Sequence, residues 1–243
     1  MLPRRVRAEI LLRSLAVQGS WNYETLIGTG FAFTILPALR HIHRADPEAL
    51  QTSLVRHAGL FNSHPYFIPV AAGAVARLEE DDVASPVVER FKSAIRGSLG
   101  SVGDQLVWWA WRPMSAVLGV ALLLAGAAWW IAVIAFLTVY NTLHVGLRIW
   151  GMRIGLERGM EVGRVLRDAP LHRMGRAASN FGLLLAGFAT VLAVARVSGP
   201  GDGNLLLGAG AVALGIWLGL RARTVVWAAL GTVWGLGMLF GTL

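Results

Sequence analysis

Gly97-Ser-Leu-Gly-Ser-Val-Gly-Asp-Gln-Leu-Val-Trp-Trp-Ala-Trp-Arg-Pro113 is the stretch in which a polar, charged N-terminal half gives way to a long apolar half. Gly97, Gly100 and Gly103 permit backbone conformations that other residues resist, so the stretch reads as a turn. Asp104 then stands directly before a tryptophan-rich run. A carboxylate at the mouth of a membrane segment is costly, and beside irregular backbone it is tolerated chiefly where it lines a wet cavity or faces a partner. A local reading stands beside this one: Asp104 caps the helix it opens, accepting hydrogen bonds from that helix's first N–H groups. The two roles are compatible, and the stretch leaves both open.

Outward toward the C-terminus, residues 113–147 carry no formal charge. As one helix they would run about 50 Å, against a hydrocarbon core of about 30 Å, so a helical hairpin fits better than one span. Its arms are residues 106–124 and 129–149, its turn is at 125–127, and Trp129 and Trp130 mark the outer interface. Arg112 falls inside the first arm, where it must snorkel or meet an acid. Residues 150–178 alternate Arg153, Arg158, Arg164, Arg167, Arg173 and Arg176 with Glu157, Glu161 and Asp168, and read as a cytoplasmic loop. Further spans are expected over 181–197, 205–220 and 225–243, with the C-terminus outside. Their recurrent glycines, such as Gly182, Gly187 and Gly210, suit close helix packing.

Outward toward the N-terminus, residues 5–20 read as an amphipathic helix with Val6, Ile10, Leu11, Ser14 and Val17 on one side, lying on the inner membrane surface. Its basic start and the polar Glu9, Arg13 and Gln18 do not suit a signal peptide, so an uncleaved, cytoplasmic start is expected. Two apolar stretches, 25–39 and 66–78, are shorter than the roughly 20 residues of a spanning helix. They flank a basic segment with Arg40, His41, His43, Arg44 and Arg56, so they read as re-entrant arms from the cytoplasmic face. Pro37, Pro65 and Pro69, with Gly28, Gly30 and Gly73, suggest broken helices. The run Glu79-Glu80-Asp81-Asp82 reads as a solvated helix end.

Of the 243 residues 55% are hydrophobic and 15% charged, and the mean hydropathy is +0.57, outside the usual range of a soluble domain. The absence of cysteine excludes disulfides and thiolate chemistry. The net charge of +8 comes from arginines that flank apolar segments; they point to membrane lipid and not to nucleic acid. His41 and His43, two apart in a helix, face nearly opposite sides, and no third metal ligand is evident. Ser101-Val-Gly-Asp104 lacks the first glycine of an intramembrane aspartyl protease signature, and no second aspartate completes a dyad. The fold expected is an all-α integral membrane protein, with about five transmembrane helices, an N-terminal amphipathic helix and re-entrant helical hairpin segments. Residues 1–105 form its cytoplasmic or interfacial part and 106–243 its transmembrane bundle, in one membrane domain.

Several motifs occur together in order: Gln18-Gly-Ser-Trp-Asn22, Pro37-Ala-Leu, Phe61-Asn-Ser-His-Pro-Tyr66, Leu78-Glu-Glu80, Gly100-Ser-Val-Gly-Asp104 with Trp108, Arg112-Pro113, and Tyr140-Asn141 to Gly151. As an ordered set, over about residues 11–160, they resemble the IID membrane subunit of the mannose/fructose/sorbose class of bacterial sugar phosphotransferase systems. The resemblance implies a multi-pass protein of the bacterial inner membrane that pairs with a IIC subunit to bind a hexose-type sugar and carry it inward by an elevator-like movement. A IIB protein, working with IIA, phosphorylates the sugar, so the IID chain is a non-enzymatic member of a hetero-oligomer, with no cofactor and no metal. The candidate sugar-site residues are Trp21, Asn22, Asn62, His64, Asp104, Trp108 and Asn141, as ligands or as holders of the arms' backbone. Amides and carboxylates pair with sugar hydroxyls, and indoles stack on a sugar face. Each also has a structural reading: Asn62 and His64 as caps, Trp21 as an interface anchor. The alternative in a different class is a non-transporting regulatory or scaffolding relative that docks phosphotransferase proteins at the membrane.

Overall fold

The computed structural model describes residues 2–198 and Gly210. Among them all regular structure is helical apart from two isolated bridges. The order is α1 (Arg4–Ser14), α2 (Gly28–Ile42), α3 (Pro47–Ala58), a 3-10 turn (Pro65–Phe67), α4 (Ile68–Glu80), α5 (Ser85–Gly103), a π-helix (Asp104–Trp111), α6 (Arg112–Leu124), α7 (Trp129–Arg158), a 3-10 turn (Gly159–Glu161), α8 (Val162–Asp168) and α9 (Leu171–Ser198). The stretches Ser85–Leu124 and Trp129–Arg196 are long and apolar enough to cross a membrane. Their most apolar portions are only 39% and 33% buried, whereas a soluble core helix is mostly covered. The spans expected at 205–220 and 225–243, and the C-terminal orientation, lie outside the described residues.

The chain folds as two compact units: Met1–Gly103 with Leu143–Ala169, and Asp104–Thr142 with Pro170–Leu243. Residues 143–169 thus belong with the N-terminal residues, where the sequence division at 105/106 had grouped them with the bundle. Glycines give the reason. In the first unit a Cβ on Gly155 would strike the Val70 carbonyl, and one on Gly151 the Val70 side chain, so the end of α7 lies directly on α4. Helix α4, made largely of alanine, valine and glycine, is buried on every side from Ile68 to Ala76. Such small residues let helix backbones approach closely.

The same unit corrects the expectation of broken arms. A Cβ on Gly28 would meet the Gly59 carbonyl and one on Gly30 the Val17 carbonyl, so these glycines serve close packing. Helix α2 runs unbroken through Pro37. Proline removes the N–H that would bond to the carbonyl four residues back. That carbonyl, of Phe33, instead accepts from Arg13 Nη1 at 3.3 Å, with the guanidinium 4.6 Å from the Phe33 ring centroid. Helix α1 is likewise not simply laid on a membrane. Its Ile10 and Ser14, with the following Val17, are fully buried, and α1 packs on α2 and α4. Leu12 and Leu15 are the exposed ones.

In the second unit, α6 ends and α7 begins as the hairpin pattern expects. Gly126, at φ +93°, supplies the left-handed residue of the turn, and the Ala127 and Gly126 N–H groups return to the Leu122 and Leu123 carbonyls. Trp129 and Trp130 stay exposed. The π-helix and α6 pack on α9, with Ala110, Met114 and Ala178 in a small core beside Trp111 and Val139. A Cβ on Gly182 would sit 3.2 Å from that of Met114, the close packing expected of it. The segment read as a loop, 150–178, is helical: nothing breaks α7 before Gly159, at φ +50°, and the next break is at Pro170.

The opening stretch departs furthest from its reading as a turn. Gly97, Gly100 and Gly103 lie in α5, which continues through the π-helix into α6 without interruption. Asp104 therefore has no free first-turn N–H groups to cap, and the N-cap reading fails. Instead it opens a π-helical segment, in which one extra residue per turn is accommodated.

Candidate functional site

Two motif-bearing loops meet in the first unit. Leu26 bridges both Asn22 and Phe61; Ile27 N–H donates to the Phe61 carbonyl at 3.0 Å and Phe61 N–H to the Thr25 carbonyl at 3.2 Å. Leu26 holds φ +56° to do so. Asn22 secures the turn: its Oδ1 accepts from the Glu24 and Thr25 N–H groups at 3.0 and 2.8 Å, and its Nδ2 donates to the Ser20 carbonyl at 3.2 Å and to Thr25 Oγ1 at 2.9 Å. Its amide is spent on backbone. Trp21 is half exposed, edge-on to the exposed Tyr23 at 4.8 Å between ring centroids. Asn62, one residue beyond the bridge, is exposed, and Ser63 and His64 behind it are buried.

His64 caps the turn that follows, its Nδ1 accepting from the Tyr66 N–H at 3.2 Å. That bond puts the imidazole proton on Nε2. A Cβ on Gly103 would land on the His64 ring, so only glycine allows α5 to pass there. Burial, with Arg148 and His144 nearby, holds the His64 pKa down at about 4. Edge-on to His64, at 5.0 Å, is Tyr66. His144 stacks on Tyr66 at 4.0 Å, and the Arg148 guanidinium lies 5.4 Å from the Tyr66 centroid. Arg148, only 6% exposed, donates from Nε to His144 Nε2 at 2.8 Å and from Nη1 to Ser14 Oγ at 2.6 Å.

The other three candidates belong to the second unit. Asp104 is exposed. Trp108 follows it by four residues and Arg112 by eight, a spacing that stacks the three along one helix face. The Arg112 guanidinium is 5.1 Å from the Trp108 centroid, so this arginine meets an indole where an acid was sought. Asn141 donates from Nδ2 to the Leu137 carbonyl at 2.7 Å, one turn back along α7.

Sequence reasoning missed Glu79. Far from being a solvated end, its carboxylate is buried. Oε1 accepts from Arg56 and from His57 Nε2, at 2.9 Å for the latter. Oε2 accepts from Ser53 Oγ at 2.9 Å and lies 3.3 Å from His43 Nε2. Burial pushes its pKa up, but the His57, Arg56 and Ser53 bonds outweigh that and hold it at about 2. Burial lowers the pKa of His57, which donates as a neutral imidazole. The acid run hid this role, since nothing in it distinguishes Glu79 from its neighbours. Arg148, inside the arm expected over 129–149, was passed over as well. The His144–Arg148 spacing of four was its one signal. Among the described residues no three His, Asp or Glu side chains gather to hold a metal.

Residues 2–197 match the family model described as the PTS system mannose/fructose/sorbose family IID component. The chain belongs to this IID family. Relatives of this IID chain include the mannose-specific EIID component of Escherichia coli K12, 28% identical over 183 residues, which are 73% of this chain and 64% of that protein. The sorbose-specific EIID component of Klebsiella pneumoniae is 29% identical over 188 residues, 73% and 66% of the two chains. The Bacillus subtilis fructose permease IID component is 26% identical over 183 residues, 73% and 66%. The matched portion is thus less than two thirds of each relative's length. In fold, the IID chain is similar to a chain of the cryo-EM structure of the mannose transporter ManYZ with microcin E492 (TM-score 0.62, 23% identity, 98% of this chain and 96% of that one). It is also similar to a chain described as a membrane protein (TM-score 0.69, 23% identity, 98% and 96%).

Proposed function

We propose that this IID chain pairs with a IIC subunit in the bacterial inner membrane, crossing it several times from a cytoplasmic N-terminus, to bind and carry a hexose-type sugar. IIB, supplied by IIA, phosphorylates the sugar, so the IID chain performs no chemistry itself and no histidine in it is assigned a phosphoryl group. The observation that carries this reading is the unbroken family match over residues 2–197, which takes in every candidate residue from Trp21 to Asn141. In the first unit Asn62 and Trp21, and in the second unit Asp104 and Trp108, are the side chains offered to sugar, while the buried His64 caps the turn behind Asn62. Asn22 and Asn141 hold backbone. Sugar hydroxyls suit this set because each both donates and accepts, and the stacked Trp108–Arg112 pair offers a face for a pyranose ring.

The test is uptake and phosphorylation of a panel of hexoses in cells lacking the gene, with the gene restored. Restored uptake of one hexose is expected. No change for any sugar, with the protein present in the membrane, would replace this reading with a docking or regulatory role.

A further inference from the structure

Arg148 is a buried cation without an acid. Among the described residues no carboxylate oxygen forms an ion pair with it. Its bonds go to Ser14 Oγ, whose own proton is donated to the Leu11 carbonyl at 2.6 Å, and to His144 Nε2. Burying a guanidinium among neutral groups is expensive, so the position it maintains has to be useful.

The geometry dictates what it maintains. A nitrogen that accepts from a guanidinium cannot carry a proton, because arginine is never an acceptor. His144 is therefore held neutral with its proton on Nδ1. Its ring, fixed by that bond, stacks on Tyr66 at an interplanar angle of 13°. Tyr66 in turn stands at 90° to His64, whose Nδ1 is taken by the Tyr66 backbone. Each imidazole thus has one settled donor nitrogen and no charge. Among the described residues, the charged and titratable groups facing His144 include Tyr66 and His64, from the 3-10 turn and the linker before it, and Arg148 on its own helix. The neutral hydroxyl of Ser14 comes from α1.

We propose that Arg148 is a positioning residue for the turn behind the exposed Asn62 in the sugar-binding site: it locks His144 as the neutral Nδ1–H tautomer against Tyr66, and through Tyr66 fixes the buried His64 ring that caps that turn. This rests on the sugar-transport reading for its purpose but not for its measurement. A neutral, oriented pair of imidazoles keeps that turn fixed without drawing anions or protons into the site. Sugar binding is thereby insulated from the pH of the compartment the site opens to.

The experiment uses the full chain, purified with its companion membrane subunit, labelled with 15N-histidine and placed in lipid nanodiscs. In the unsubstituted protein, His144 shows a protonated Nδ1 and a bare Nε2 from pH 8 to pH 5.5. A protonated Nε2 on His144, or titration within that range, overturns the proposal without any variant. With Arg148→Met, His144 is expected to take up a proton on Nε2 toward the acid end of that range, and sugar uptake by cells carrying the variant to fall several-fold between pH 7.5 and 5.5 along the same curve. Adding His144→Gln should flatten that curve again. An unchanged His144 in Arg148→Met overturns the proposal. Arg153→Gln, an exposed change on the same helix, is the control and leaves the signals unmoved. If the imidazole signals respond as stated while no sugar is carried, the lock stands and the transport reading fails.

Discussion

Of the charges buried among the described residues of the first unit, Glu79 and Arg148 are settled in opposite ways. Glu79 is surrounded by donors from α3 and the end of α2, among them the cationic Arg56, so its charge is matched inside the protein. Arg148 is solvated by a hydroxyl, an imidazole and a phenol ring. The first arrangement ties helices together, and Lys92 extends it by donating to the Arg56 carbonyl at 3.3 Å from α5. The second leaves a net charge whose field acts on neighbouring imidazoles. Here the matched carboxylate acts as a fastening, while the unmatched guanidinium bears on the protonation of the imidazoles beside it.

The sharpest way to break this comparison is Glu79→Ala. It leaves Arg56 partly buried without its acid, and should cost about 3 kcal/mol of stability, read as lower membrane abundance and earlier thermal unfolding. If Glu79→Ala is tolerated, Glu79 is no fastening. Next is Gly103→Ala, whose Cβ must displace the His64 ring; a loss of about 2 kcal/mol is expected from overpacking, together with an altered His64 signal by NMR. Ser14→Ala removes one acceptor from Arg148 and should cost about 1.5 kcal/mol, as for a hydrogen bond to a charged group. No loss there would mean that the guanidinium is held by the imidazole alone.

A graded effect follows from pH. His57 and His64 are both lowered below the ordinary histidine value, His64 to about 4. The unfolded chain then binds protons that the folded chain refuses, so stability is full above about pH 6.5 and declines from there toward pH 4. Glu79, held at about 2, adds its own loss only below about pH 4.3. Thermal unfolding midpoints measured from pH 8 to pH 4 should be flat and then fall; a fall that begins only below pH 4.3 would assign acid sensitivity to Glu79 alone. The smallest effect is that of Asp104→Asn. With no cap to lose, stability should change by less than about 0.5 kcal/mol. Uptake should nevertheless drop, because charge-assisted bonds to sugar hydroxyls are about twice as strong as neutral ones. Normal uptake at normal abundance would remove Asp104 from the site.

Composition and hydrophobic pattern pointed to a helical membrane chain, and its ordered motifs resembled the IID family that the match over residues 2–197 then showed. They also located the α6–α7 turn, because an uncharged run too long for one span and a glycine at its middle leave few other foldings. These features are local or additive along the chain, so they survive in a one-dimensional reading. Contacts between distant residues decided the rest. Whether Gly97–Gly103 turns or continues a helix depends on what passes beside Gly103, and that is His64, far away in sequence. Whether Glu79 is solvated depends on His43, Ser53, Arg56 and His57 arriving around it. Whether Arg148 ends a span or is buried depends on Ser14, which lies 134 residues away. A glycine, a carboxylate and a guanidinium each have several stable uses, and only the neighbours brought by the tertiary fold choose among them.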